Sequence, residues 1–339
     1  MPPVETRTTP TPELIFGMLN AFQRSAALKT AIELDVFTAI GASARTASAL
    51  AAKTGAAERG VRILCDFLVI SGLLTKDGNQ YSLTPDSATF LDKRSPAYIG
   101  SCVGFMLSPD IKRGFDDLTA AVRKGGSVAE SQMPPDWPGW VEFARSMAPL
   151  LAMPARLMAE RFAADAGQGK VLDIAAGHGL FGIAMARQNP KIKITAVDAA
   201  GVLEVARENA AKAGLSDRYH TLPGSAFEVD FGGPYQMALV TNFLHHFDKP
   251  TNEGFLRKLR AALAPEGKVV ALEFVPNEDR VSPPVPASFS LMMLAGTRAG
   301  DAYTFPELQQ MFTNSGFTNA ELHALPGQMG QVVVAANEL

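Results

Sequence analysis

Two carboxylates, Asp173 and Asp198, each close an apolar run in this chain. The first run, KVLDI from Lys170, breaks into a turn with Gly177 and Gly179 and then continues in a helical pattern from Leu180. The second, KITAVD, begins at Lys193. Such a pattern predicts one strand–helix–strand unit with a nucleotide-sized crevice at its strand ends. Gly177-His178-Gly179-Leu180-Phe181-Gly182 satisfies G-x-G-x-x-G literally, which keeps a nicotinamide or flavin dinucleotide as one candidate. Asp173 argues against a dinucleotide, because a negative charge just before a helix N-terminus opposes an approaching diphosphate. It suits a cofactor with a cationic part and no phosphate, and S-adenosylmethionine is such a molecule. Asp198 would then accept two hydrogen bonds from the ribose diol. The plainer reading is that both acids cap the helices that follow them.

A second group lies past the apolar run Tyr235–Thr241, where Asn242, Phe243, Leu244, His245 and His246 follow in order. Residues just beyond a strand's carboxyl end line the ligand crevice of an open α/β sheet. Of two adjacent histidines, one is expected to face an acceptor molecule and the other to point outward. Histidine titrates near neutral pH, so one at this place can take a proton from a hydroxyl as its oxygen attacks a methyl group. The alternative is a helix-start histidine bonded only to backbone.

The elements that must position these residues follow from periodicity. After residue 170 the expected strands are 170–174, 192–197, 218–222, 236–241 and 267–274, with helices at 180–188, 201–213, 251–264 and 305–316. Residues 318–324 and 331–336, joined by a turn containing PGQMG, read as a closing hairpin. This predicts an α/β fold: a Rossmann-like sheet with an antiparallel C-terminal hairpin, preceded by a mostly helical N-terminal domain. The expected domains are 1–100, a helical connector at 101–165 that lines the acceptor pocket, and the cofactor-binding 166–339. A helical pattern runs from Pro12 to about Leu34. Two short helices within 46–72 precede a hairpin, LLTKDGNQYSLT, whose turn is assigned to Asp77-Gly78. Helix–helix–hairpin is the winged-helix arrangement. Its second helix is mostly apolar past Arg62 and reads as buried, which suits packing or dimerisation better than DNA. Pro134, Pro135 and Pro138 are expected to separate helices at 97–125 and 139–162.

Composition narrows the classes. The 339 residues are 47% apolar, enough for a large core, and the net charge of −3 with no basic run gives no electrostatic case for nucleic acid or an anionic membrane. No run approaches membrane-span length, the N-terminus lacks a signal-peptide pattern, and a cytoplasmic location is expected. Cys65 and Cys102 read as small core residues, and no metal-ligand cluster is expected.

Residues 12–339 resemble the small-molecule O-methyltransferases that tailor plant phenolics and bacterial polyketides, in which a winged-helix dimerisation domain precedes a methyltransferase domain. The resemblance implies a homodimer and a small-molecule acceptor. It makes His245 the counterpart of the family's catalytic base and Glu273 the acid bracketing it. It implies donor contacts from Asp173, Ala175, Gly177, Gly179, Asp198, Asn242 and the Gly224-Ser225-Ala226-Phe227 stretch. Phe105, Met147, His246, Met293, Thr297 and Arg298 are the expected acceptor-binding residues. The chain departs from the pattern at four places, one of them Thr241, where plant members commonly have a lysine. Ala175 replaces a glycine, tolerable if the backbone there is not left-handed. Ser225 replaces an adenine-contacting Asp. Ala302 replaces a second bracketing glutamate, with Asp301 adjacent as a substitute. Arg298 could pair with an acceptor carboxylate. The leading expectation is methyl transfer to a hydroxyl deprotonated by His245. Alternatives are S-methylation of a thioether acid, a ligand-sensing regulator and a dehydrogenase.

Overall fold

The computed structural model describes residues 10–128, 137, 139–327 and 330–337. Pro134, Pro135 and Pro138, and part of the PGQMG turn, lie outside the described residues. The chain divides into two compact units, one ending at Ser108 and the other beginning at Pro109.

The first unit is helical with a small sheet. Its leading pattern forms two helices, Glu13–Leu19 and Ala21–Glu33, because Asn20 interrupts it with its side chain donating to the Phe16 carbonyl at 2.9 Å. The helices Ala47–Thr54 and Glu58–Ile70 follow as expected. Thr46 caps the first by accepting from the Ala49 N–H, and Gly55 in the left-handed region ends it. Strands β1 (Arg45–Thr46), β2 (Leu74–Asp77) and β3 (Gln80–Leu83) pair in the order β1-β3-β2. Two expectations are corrected. Asp77 pairs with Gln80, so Gly78 and Asn79 form the two-residue turn. The helix Glu58–Ile70 buries only a stripe of Val61, Cys65 and Leu68, and Ile70 on its other side is 82% exposed. Phe37, Ile40, Leu50 and Tyr81 complete the core.

The second unit is built on a seven-stranded sheet. Strands β4 (Lys170–Ile174), β5 (Lys193–Asp198), β6 (Tyr219–Pro223), β7 (Tyr235–Thr241), β8 (Leu263–Glu273), β9 (Thr318–Ala324) and β10 (Gln331–Ala336) lie in the order β6-β5-β4-β7-β8-β10-β9. The pairs among β4 to β8 are parallel, whereas β10 runs antiparallel to both β8 and β9. Alternate residues feed two apolar layers, as a period of two requires. Val171, Met237 and Leu239 pack with Met158, Phe181 and Leu203 on one face. Leu172, Ala238 and Val240 pack with Phe255, Leu259 and Phe312 on the other. The helix Gly139–Phe162 supplies the first layer. The helix Pro284–Gly296, not anticipated from periodicity, follows β8. Among the described residues no helix is long and apolar enough to cross a membrane.

Candidate active site

The strand ends of β4, β5 and β7 open onto a cavity of about 330 Å³. That is within the usual size for a small-molecule pocket. Its wall includes Ala175, Gly177 and His178 after β4, Asp198 and Ala199 after β5, and Ser225, Ala226 and Phe227 after β6. Asn242 and His246 after β7, with Thr297 and Arg298, complete the predicted side, joined by Phe243 and Phe247, which the sequence did not assign to it. Trp140, Phe143 and Leu151 from the helix Gly139–Phe162 form the opposite wall. The connector was expected to line the acceptor pocket, but through Met147; these three residues were not singled out.

At the β5 end, Asp198 accepts from the Gly177 N–H at 2.9 Å and from the Ala199 N–H at 2.7 Å. Burial raises its carboxyl pKa, and these two bonds oppose that rise. Phe227 stands edge-on to Phe247 with centroids 4.8 Å apart, leaving an apolar shelf beside Ser225. A carboxylate at one end, an aromatic shelf and a glycine turn between apolar walls match the chemistry of an adenosine ligand.

Asp173 and Gly179 are not wall residues. Asp173 is fully buried beneath the turn, where one oxygen accepts from the Gly182 N–H at 3.1 Å, and burial raises its pKa to about 7. Gly179 is the left-handed residue opening the helix Leu180–Gln188, and a side chain there would meet Tyr219. The first acid therefore braces the turn from beneath. Ala175 sits at φ 49°, so the condition set for tolerating its methyl group is not met. Asn242 also lies in the left-handed region, which its short polar side chain accepts more readily.

Neither histidine points outward. His245 is 4% exposed and, like Glu273, lies behind the cavity wall, with its Nδ1 2.5 Å from one Glu273 oxygen. The other Glu273 oxygen accepts from the Phe243 and Leu244 N–H groups at 3.0 and 2.7 Å. A carboxylate can only accept, so Nδ1 carries a hydrogen, and in the neutral ring Nε2 keeps its lone pair. Phe289 stands edge-on to the His245 ring at 4.9 Å. His246 is the wall residue, edge-on to Trp140 at 5.7 Å, and burial beside His245 holds its pKa well below the ordinary histidine value. Asp301 does not substitute for the missing glutamate, because it pairs with Arg280 at 3.1 Å while Ala302 is fully buried. A one-residue shift has turned the acid to the surface.

Thr297 is fixed at the wall by donating to the Met293 carbonyl at 2.7 Å. Met147 and Met293 are not wall residues; Met293 is buried on the helix Pro284–Gly296 and reaches Thr297 only through its backbone carbonyl. Phe105 belongs to the first unit, half-buried on the helix Val103–Met106. Among the described residues no cluster could hold a metal ion.

Residues 16–93 match the O-methyltransferase dimerisation domain, and residues 171–267 match a methyltransferase domain. A Nostoc punctiforme protein assigned as an O-methyltransferase is 53% identical, over 97% of this chain and 100% of its own, with a TM-score of 0.94. The chain belongs to the O-methyltransferase family. It is an enzyme whose methyl donor is S-adenosylmethionine, acting on small-molecule hydroxyls. The 3-hydroxy-5-methyl-1-naphthoate 3-O-methyltransferase of Streptomyces sahachiroi is 27% identical, over 95% of this chain and 94% of its own. Human N-acetylserotonin methyltransferase, solved in complex with S-adenosylmethionine, shares the fold at 21% identity, with full coverage of both chains and a TM-score of 0.84. These matches do not favour the thioether, regulator or dehydrogenase alternatives.

Proposed function

We propose that this enzyme methylates an aromatic hydroxyl, with His245 as general base and Glu273 holding that base in place. The observation that carries this reading is the Nδ1–Glu273 bond, which in the neutral ring leaves Nε2 as the acceptor. Bound S-adenosylmethionine supplies an electrophilic methyl group on a sulfonium. Asp198 would accept from the ribose hydroxyls, Phe227 would flank the adenine, and the backbone of Ala175 and Gly177 would pass beneath the methionyl tail. As the hydroxyl oxygen bonds to the methyl carbon and the carbon–sulfur bond breaks, His245 Nε2 takes the hydroxyl proton. Trp140, Phe143, Phe243 and Phe247 keep water from the reacting atoms. Thr297 and Arg298 sit where an acceptor would be oriented, and Arg298 is suited to an acidic substituent such as the carboxylate of a hydroxynaphthoate.

The same reading includes a homodimer formed through the first unit, whose leading helices expose Phe16, Met18, Leu19 and Phe22. His245→Ala should retain donor affinity by calorimetry and lose about 10²- to 10⁴-fold in kcat. Full turnover by that variant would remove the base from the mechanism.

A further inference from the structure

His178 occupies the variable position between Gly177 and Gly179, where a glycine-turn pattern assigns it nothing. In the structure it is 2% exposed and lines the cavity. Its Nδ1 accepts from the Leu180 N–H at 3.1 Å, as a capping side chain would. A nitrogen that accepts carries no hydrogen, so in the neutral ring the hydrogen is on Nε2. Burial lowers the His178 pKa to about 4, which keeps the ring neutral at working pH. The ring stacks on Phe181 with centroids 6.0 Å apart, and the Asn209 side chain holds the His178 carbonyl at 2.9 Å. The imidazole is therefore fixed in both position and tautomer.

What remains is a donor without an acceptor: among the described residues nothing bonds to Nε2–H. It differs from Asp173 Oδ1 and Tyr219 Oη, which are buried without a partner on residues that do not line the cavity. A ligand acceptor in the cavity would complete that donor's bonding.

We propose that His178 Nε2–H binds the carboxylate of the donor's methionyl tail. This rests on the assignment of the cavity to S-adenosylmethionine. A ligand whose ribose is held by Asp198 must lay its tail across the Ala175–Gly179 turn to bring its sulfur toward the histidine pair. The tail carries one anion and one cation. A neutral N–H suits the anion, and the turn's backbone carbonyls suit the ammonium.

The test is calorimetric binding of S-adenosylhomocysteine and of its decarboxylated analogue, which keeps the adenosine, the sulfur and the amine. His178→Asn is the informative variant, since an Asn at this place can still accept from the Leu180 N–H while withdrawing the distal donor. His178→Phe removes both functions. The native protein should prefer S-adenosylhomocysteine, and His178→Asn should lose that preference by about 10-fold or more while binding the decarboxylated analogue as before, the effect of one hydrogen bond to a charged group. An unchanged preference in His178→Asn, or an equal loss for both ligands, overturns the assignment. If the native protein binds neither ligand, the adenosyl reading of the cavity fails instead.

Discussion

At the scale of single residues, the donor turn combines a strained position with a buried charge. Ala175 adopts a left-handed conformation at φ 49°, which costs an L-residue roughly 1–2 kcal/mol relative to the right-handed regions. Ala175→Gly removes that strain but gives back some unfolded-chain entropy. It should therefore stabilise the protein by about 0.5–1 kcal/mol. A higher urea midpoint at constant slope would show it, and a lower midpoint would mean that the methyl group makes a compensating contact. Asp173 acts through pH. Its folded-state pKa, raised to about 7 by burial, lies above the unfolded carboxylate value, so the folded state binds more protons in between. Stability from this group is full below about pH 4 and is lost as pH rises through about 7. Asp173→Asn can still accept from Gly182 and cannot ionise. Its melting temperature should gain on the native protein as pH rises across that window, with little difference at the acid end. A constant difference across the window would show that Asp173 does not titrate there. Neither property was legible in the sequence. The motif announces an acid and a small residue, but not that the acid turns under the helix or that the backbone beside it is left-handed.

At the scale of elements, the sheet was the most legible part of the chain. Buried parallel strands must be apolar runs bounded by polar or turn residues, and β4, β5 and β7 each have that form. The helix Pro284–Gly296 was not legible because it is apolar nearly all round and opens on Pro-Val-Pro, so no 3.6-residue stripe marks it. The histidine pair was legible as a strand-end feature, but its directions were not. Glu273 decides them, by accepting two backbone N–H groups and His245 Nδ1 at once. The sequence places that carboxylate twenty-eight residues away. The connector's part in the site was legible, but not that Trp140 and Phe143, and not Met147, are the residues it brings there, because a helix remote in sequence meets a site that the strand ends define.

At the scale of the whole molecule, the leading helices set the testable property. Phe16 and Phe22 are 58% and 68% exposed, more apolar surface than an isolated chain would keep in contact with water. Replacing both with Glu should convert a dimer to a monomer by light scattering, and should abolish the dependence of melting temperature on protein concentration expected of an associating chain. A native protein that is already monomeric at micromolar concentration would refute this. A different consequence follows from the insertion of β10 between β8 and β9, where Val332, Val333 and Ala335 are fully buried. The strand that seals β8 is made after every other strand of the sheet. During synthesis β8 therefore presents an open, apolar hydrogen-bonding edge until residues 331–336 emerge, an edge able to pair with other chains. Its closure joins segments some sixty residues apart in sequence, as Gln331 opposite Glu273 illustrates. Such distant pairing slows folding, so the nascent chain has a period in which a chaperone has most to protect.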